Sequence, residues 1–202
     1  HIGGAASSSS EDNAVVIENN GVINFSDDIK TVTNKDKNEV VISRNTLVTL
    51  SDDQGKLVEK HKIPYGSTLF VKDGATIEPG TKVAGWDPYT RPIISEVKGK
   101  IKFTDIVDGV TVRAKTDELT GMSSVEVIET SERPSAGKEL APSISVVDGR
   151  GKVLTIGDHK APANYTMPAK ALINLKDGGS ISAGEVLARI PLEGSKTKDI
   201  TG

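Results

Sequence analysis

A chain of 202 residues with 36% hydrophobic and only 3% aromatic residues, but 20 Gly and 9 Pro, has room for one large or two small domains. Their cores must come from Val, Ile and Leu in short segments between turns. The absence of cysteine removes disulfides, thiol catalysis and Cys-ligated zinc. The 25 basic and 28 acidic residues, net −3, lack the basic excess of a dedicated nucleic-acid binder.

Residues 1–13, "HIGGAASSSSEDN", are small and polar without an apolar period and read as a flexible arm; residues 196–202 read as a matching arm at the other end. No signal-peptide core and no apolar run near the ~20 residues of a membrane span is expected anywhere in the chain. Strands are predicted at 15–17, 22–25, 40–42, 47–50, 93–103, 110–112, 125–128, 144–147, 153–156, 172–175 and 186–190, from short β-branched runs. In "VKGKIKF" the alternation puts Val97, Ile101 and Phe103 on one face and Lys98, Lys100 and Lys102 on the other. The separators are turn formers, including Asp73-Gly74, Asp108-Gly109, Asp148-Gly149 and Asp177-Gly178, whose glycines supply positive φ. No segment keeps a 3.6-residue apolar period for a dozen positions, so an all-β fold is predicted.

"VKDGATIEPGTKVAGW" at 71–86 returns as "LKDGGSISAGEVLARI" at 175–190, with Asp73 matching Asp177, Ile77 matching Ile181 and Gly80 matching Gly184. Upstream, "DDQGKLV" from Asp52 matches "DGRGKVL" from Asp148 at a shorter offset, which predicts an insertion near "GDHKAPAN" in a surface loop of the second copy. A repeat this long means duplicated domains rather than a solenoid, and the expected division is 14–104 and 105–195.

The repeated pattern K-D-G-x-x-I-x-x-G-x-x-V/L-A resembles the barrel-sandwich hybrid fold of biotinyl and lipoyl domains, which implies two such domains in tandem. Gly74 and Gly80 are expected at backbone angles other residues avoid, and Ile77 and Val83 in a small barrel. "WDPYTRPIISEVKGKIKF" is expected to continue the first copy through a hairpin whose tip is residues 87–92, with its "E-V-x-G-x-I" strand completing that half-motif. Carrier domains present a modifiable lysine at such a tip; this one, and residues 192–194 in the second copy, have none.

Catalytic chemistry is sparse in the body. His61 in "EKHK" and His159 in "GDHK" read as solvated side chains of charged loops. Asp27-Asp28, Asp52-Asp53 and Asp117-Glu118 read as turn charges, Gly149-Arg150-Gly151 as a turn without a phosphate-binding helix, and the lysine stripe as a wet face. Nothing within 14–195 nominates a catalytic site or a metal site. An efflux-type adaptor would need helical hairpins or a lipid anchor, and an OB-like nucleic-acid module several exposed aromatics.

"HIGGAAS" at the start and "KTKDITG" at the finish resemble the two sides of the trigger loop in the β′ subunit of bacterial RNA polymerase. In between, "SRNT", Ile63-Pro64-Tyr65-Gly66, "WDP", "PIISEV", "FTDIVDG", "TDELTGMSS" and "LARIP" resemble the lineage-specific insertion in that loop. The resemblance implies an insertion module of two barrel-sandwich hybrid domains that takes part in DNA-templated RNA synthesis in the cytoplasm. It also implies His1 as the residue that approaches the phosphates of the incoming nucleotide in the intact nucleotidyltransferase. The Mg2+ of the parent enzyme would be bound elsewhere in the subunit, and this stretch would hold no cofactor. The partners implied are the rest of β′ and β, downstream DNA and secondary-channel factors, with no membrane and a monomeric fragment. Trp86, Tyr89 and Arg91 around "WDPYTRP" are the candidate external contacts, since an aromatic beside an arginine is a common interface anchor. The competing reading puts Trp86 in a barrel core, because it aligns with Ile190 in the repeat.

Overall fold

The computed structural model describes residues 13–192 apart from 117, 118 and 120. His1, Asp117-Glu118 and the two arms, save Asn13, lie outside the described residues. The chain divides into two compact units between Pro88 and Tyr89.

The first unit runs through β1 (Ala14–Val16), β2 (Gly21–Phe25), β3 (Thr31–Thr33), β4 (Glu39–Val41), β5 (Thr46–Ser51), β6 (Leu57–Ile63), β7 (Thr68–Leu69), β8 (Thr76–Ile77) and β9 (Lys82–Gly85). They form two antiparallel sheets, ordered β1-β9-β7-β4-β3 and β6-β5-β2-β8. A core of Ile17, Ile23, Val41, Val48, Leu50 and Val83 is buried there. Ile77 and Val83 point into it as expected.

The second unit runs through β10 (Thr90–Ile94), β11 (Gly99–Thr104), β12 (Val112–Thr116), β13 (Ser123–Val127), β14 (Ser143–Val147), β15 (Thr155–Ile156), β16 (Ala161–Pro162), β17 (Asn164–Thr166), β18 (Leu172–Ile173), β19 (Ser180–Ile181) and β20 (Val186–Pro191). Its sheets, β10-β20-β18-β13-β12 and β17-β14-β11-β19, repeat the orders of the first unit strand for strand. Two short 3-10 turns, Thr130–Glu132 and Ser135–Gly137, are the only helical elements among the described residues. The all-β prediction therefore holds, and a pair of two-sheet units agrees with tandem barrel-sandwich hybrids.

The division expected at 104/105 is corrected. β10 pairs with β20, and β11 pairs with β14 and β19, so 90–104 open the second unit rather than closing the first. No 87–92 hairpin forms, because β9 pairs with β1 and β7 instead of with β10. The predicted strand 93–103 is also two strands in different sheets. Its inward and outward faces are nonetheless as read, with Ile101 buried, Val97 and Phe103 against the core, and Lys100 and Lys102 exposed.

Equivalent strands reveal where the copies differ in length. Val15 pairs with Ala84 where Ile93 pairs with Ala188, and both ladders slip at the next residue. The hairpin β15–β16 accommodates the insertion near "GDHKAPAN", since Val48 faces His61 where Ile144 faces Tyr165. A second insertion, residues 129–142, wraps around Arg133. That side chain is 7% exposed, and its guanidinium donates to the carbonyls of Ile128, Gly137 and Leu140 at 2.9–3.1 Å. Three carbonyls thus take the place of a carboxylate in satisfying a buried cation.

Turn chemistry follows sequence closely, with one shift. Gly74, Gly80, Gly178 and Gly184 have φ of 83–89°. In "DGRG" the positive φ falls on Gly151 rather than Gly149, matching Gly55 in the first copy. Asp52 and Asp148 hold these turns by accepting N–H groups two and four residues on.

Gly21 and Gly99 are needed for close approach instead. A Cβ on Gly99 would stand 2.7 Å from both the Val147 carbonyl oxygen and Val146 Cγ1. Gly99→Ala is expected to cost about 1–3 kcal/mol by overpacking. Urea unfolding checks this, with Gly149→Ala, whose Cβ meets nothing within 4 Å, as the near-neutral control.

Candidate functional site

The three candidate contacts part company. Trp86 is half-buried and packs against the core of the first unit, and its backbone N–H donates to the Asn13 carbonyl at 2.9 Å. Ile190 packs against the second core at the aligned position, so the core reading of Trp86 is the one the packing supports. Tyr89, 48% exposed, and Arg91, also exposed, belong to the second unit. Trp86→Ala is expected to lower stability by about 2–3 kcal/mol, less than for a fully buried tryptophan, and Tyr89→Ala by less. Thermal melts of the two variants test the order.

His61 departs from its loop reading. It lies on β6, half-buried, with Nε2 2.8 Å from Glu59 Oε1 on the same face two residues earlier. The other oxygen of Glu59 accepts the backbone N–H groups of Glu18 and Asn19 and the Asn19 side-chain amide at 2.9–3.0 Å. This carboxylate therefore pins the bend between β1 and β2 to an edge strand. His159 sits exposed in the β15–β16 turn, as read.

Burial works against ionising Glu59, but the His61 ring, the Asn19 amide and the two backbone N–H groups outweigh it and hold its pKa below the ordinary 4.5. A depressed carboxylate gives stability that is complete above 4.5 and is lost as pH falls through the lower folded value. Glu59→Gln should therefore flatten that part of the acid limb. Melting temperatures from about pH 7 to about pH 3 measure it, and a variant curve parallel to the parent's would remove Glu59 from the account.

Among the described residues no group of three His, Cys, Asp or Glu is placed to hold a metal ion. No described helix is long and apolar enough to cross a membrane. The acidic pairs at 27–28 and 52–53 are turn residues.

The feature that sequence reading missed is a cleft of about 570 Å³ in the first unit, walled by Phe25, Ile29, Leu69 and Val71 and rimmed by Phe70 and Lys72. Thr31 pairs with Val41, Thr33 with Glu39, and Glu39 with Leu69. Directly paired residues share a face, so Thr31, Thr33 and Glu39 lie on the face that carries the core residues Val41 and Leu69. Thr31 donates its hydroxyl to Glu39 Oε1 at 2.7 Å and Thr33 donates to Oε2. These two hydroxyls, Thr33 first, and then the charge of Lys72 hold Glu39 below its ordinary pKa against the opposing effect of burial. Phe70 is 46% exposed, and Lys82 Nζ stands 5.4 Å from its ring centre.

Matched strand pairings place Val112, Ala114 and Val125 of the second unit where the first has Thr31, Thr33 and Glu39. There Val112 and Ile173 belong to the core and Val125 packs on it. Three apolar residues in one copy are thus a hydroxyl–carboxylate–hydroxyl set in the other. The alignment offset that reveals this changes between 52 and 31, and so hid the comparison in the sequence.

No family model matches the chain. Among curated proteins it is 48% identical over all 202 residues to the DNA-directed RNA polymerase subunit β′ of Shewanella amazonensis and to that of Idiomarina loihiensis. It is 46% identical over the same length to that of Cellvibrio japonicus. From end to end, this chain is similar to a segment of bacterial RNA polymerase β′. It spans 14% of the length of each of these β′ subunits. The fold described above is thus the fold of a β′-like segment, built by duplication.

Proposed function

We propose that the chain is a module inserted in the trigger loop of a bacterial RNA polymerase β′ subunit, where it serves DNA-templated RNA synthesis by a cytoplasmic nucleotidyltransferase. The observation that carries this is the unbroken similarity of all 202 residues to one-seventh of β′. The resemblance of "HIGGAAS" and "KTKDITG" to the two sides of the trigger loop supports the finer placement. The intact subunit and its partner β would be the immediate neighbours, with downstream DNA and secondary-channel factors within reach.

In this reading His1 belongs to the reacting region of the whole enzyme, where a protonated imidazole beside the leaving pyrophosphate stabilises developing charge. Magnesium and its carboxylates lie outside this chain. The two β units contribute no bond-making group. They act on a loop that folds and unfolds in each cycle, and a contact made in only one of its two positions biases the cycle. A differential contact of about 1.4 kcal/mol shifts that equilibrium tenfold. Tyr89 and Arg91, exposed in the second unit, are offered as part of such a contact.

Replacing residues 8–195 by a short linker in the intact polymerase is expected to leave RNA extension in place while changing pause lifetimes, transcript cleavage and the response to channel-binding factors. Single-round transcription assays measure all three. Unaltered pausing and factor response would remove the regulatory reading, and loss of all extension would remove the claim that the units make no bonds.

A further inference from the structure

The cleft of the first unit has apolar walls, an exposed aromatic rim, two lysines, Lys37 and Lys72, and two carboxylates, Asp73, which accepts the Phe25 N–H, and Glu39. The positions matching Thr31, Thr33 and Glu39 in the second unit are apolar. Backbone architecture does not require the polar set, since the same sheet order forms with Val112, Ala114 and Val125 in its place. Glu39 is half-buried, and its two hydroxyl partners offset the cost of partly desolvating its carboxylate. The polar set is therefore the part of the first unit that its duplicate shows to be dispensable for folding.

Geometry and charge specify what fits. A carboxylate offers about four lone-pair positions, and here each oxygen spends one on a threonine hydroxyl. One position on each oxygen remains, the pattern that a planar guanidinium fork fills with two parallel N–H bonds. Lys72 acts on Glu39 through space, without an ion pair within 4 Å among the described residues. The walls formed by Ile29, Leu69 and Val71 suit the methylene stem of a long side chain, and the ring of Phe70 suits a cation stacked on it, as Lys82 already shows. A volume of about 570 Å³ exceeds one arginine and leaves space for an apolar neighbour.

We propose that this cleft is a docking site for a partner-protein segment that inserts an arginine flanked by an aliphatic residue, with Glu39 receiving the guanidinium. The site stands whether or not the chain works within a polymerase, because its residues all belong to the first unit.

The test is a titration of the isotope-labelled 202-residue chain with the capped peptide acetyl-Ala-Leu-Arg-Ala-amide, followed by amide chemical shifts. Its control is the same peptide with neutral citrulline in place of arginine, which needs no variant of the protein. Saturable shifts centred on Thr31, Thr33, Glu39 and Phe70 are expected, with binding at least about tenfold weaker for the citrulline peptide and for Glu39→Gln. The triple change Thr31→Val, Thr33→Ala and Glu39→Val, which copies the second unit, is expected to keep the melting transition and abolish binding. Equal binding of the citrulline peptide, unchanged affinity in a folded Glu39→Gln, or shifts that neither saturate nor centre on the cleft would overturn the proposal.

Discussion

Each unit is fastened by one clasp, in which the Lys-Asp-Gly turn is bonded to the strand that begins the unit's second sheet. In the first copy the Asp73 carboxylate accepts the Phe25 N–H at 2.9 Å, and the Gly74 N–H donates to the Ile23 carbonyl at 2.8 Å. In the second, Asp177 and Gly178 make the same bonds to Phe103 and Ile101. The turn carries a positive φ at its glycine, so the chain can reverse there while both groups face β2 or β11. With that point fixed, the pleat of the short strand after it is set, and Ile77 or Ile181 faces inward. The clasp therefore couples local turn chemistry to the register of the core, which short strands of two residues could not hold by pairing alone.

A constraint that depends on a few turn residues leaves the rest of the surface free to diverge after duplication. The second copy gained a hairpin and a segment organised by Arg133, both at strand connections, where extra residues need not disturb the ladders. The first copy has shorter connections and a cleft whose Thr31, Thr33 and Glu39 correspond to apolar residues in the second copy. Two units with one sheet order thus present different chemistry. That is the arrangement expected of a module whose scaffold is conserved for folding while its surfaces serve separate contacts.

In the placement proposed above, such a module would act on a polymerase through contacts that differ between the loop's positions. Rigid β units suit that task because they transmit position rather than absorb it.

The sequence by itself determined the all-β class, the duplication and the positions of the tight turns, because β-branched runs and Asp-Gly pairs act locally. It also pointed to β′ through long ordered motifs. It did not show β6, whose side chains on an edge strand are mostly exposed and so lack an apolar alternation, and it placed His61 in a loop for the same reason. The boundary at 88/89 could have been read from Glu18, Gly21, Ile23 and Phe25 recurring as Glu96, Gly99, Ile101 and Phe103, a match at a third offset. Only the tertiary structure decided that these residues begin a copy, that Trp86 packs against a core, and that Thr31, Thr33 and Glu39 converge. Those facts depend on which strands pair across the chain, and pairing between distant segments is chosen by the burial of whole faces rather than by any residue's own preference.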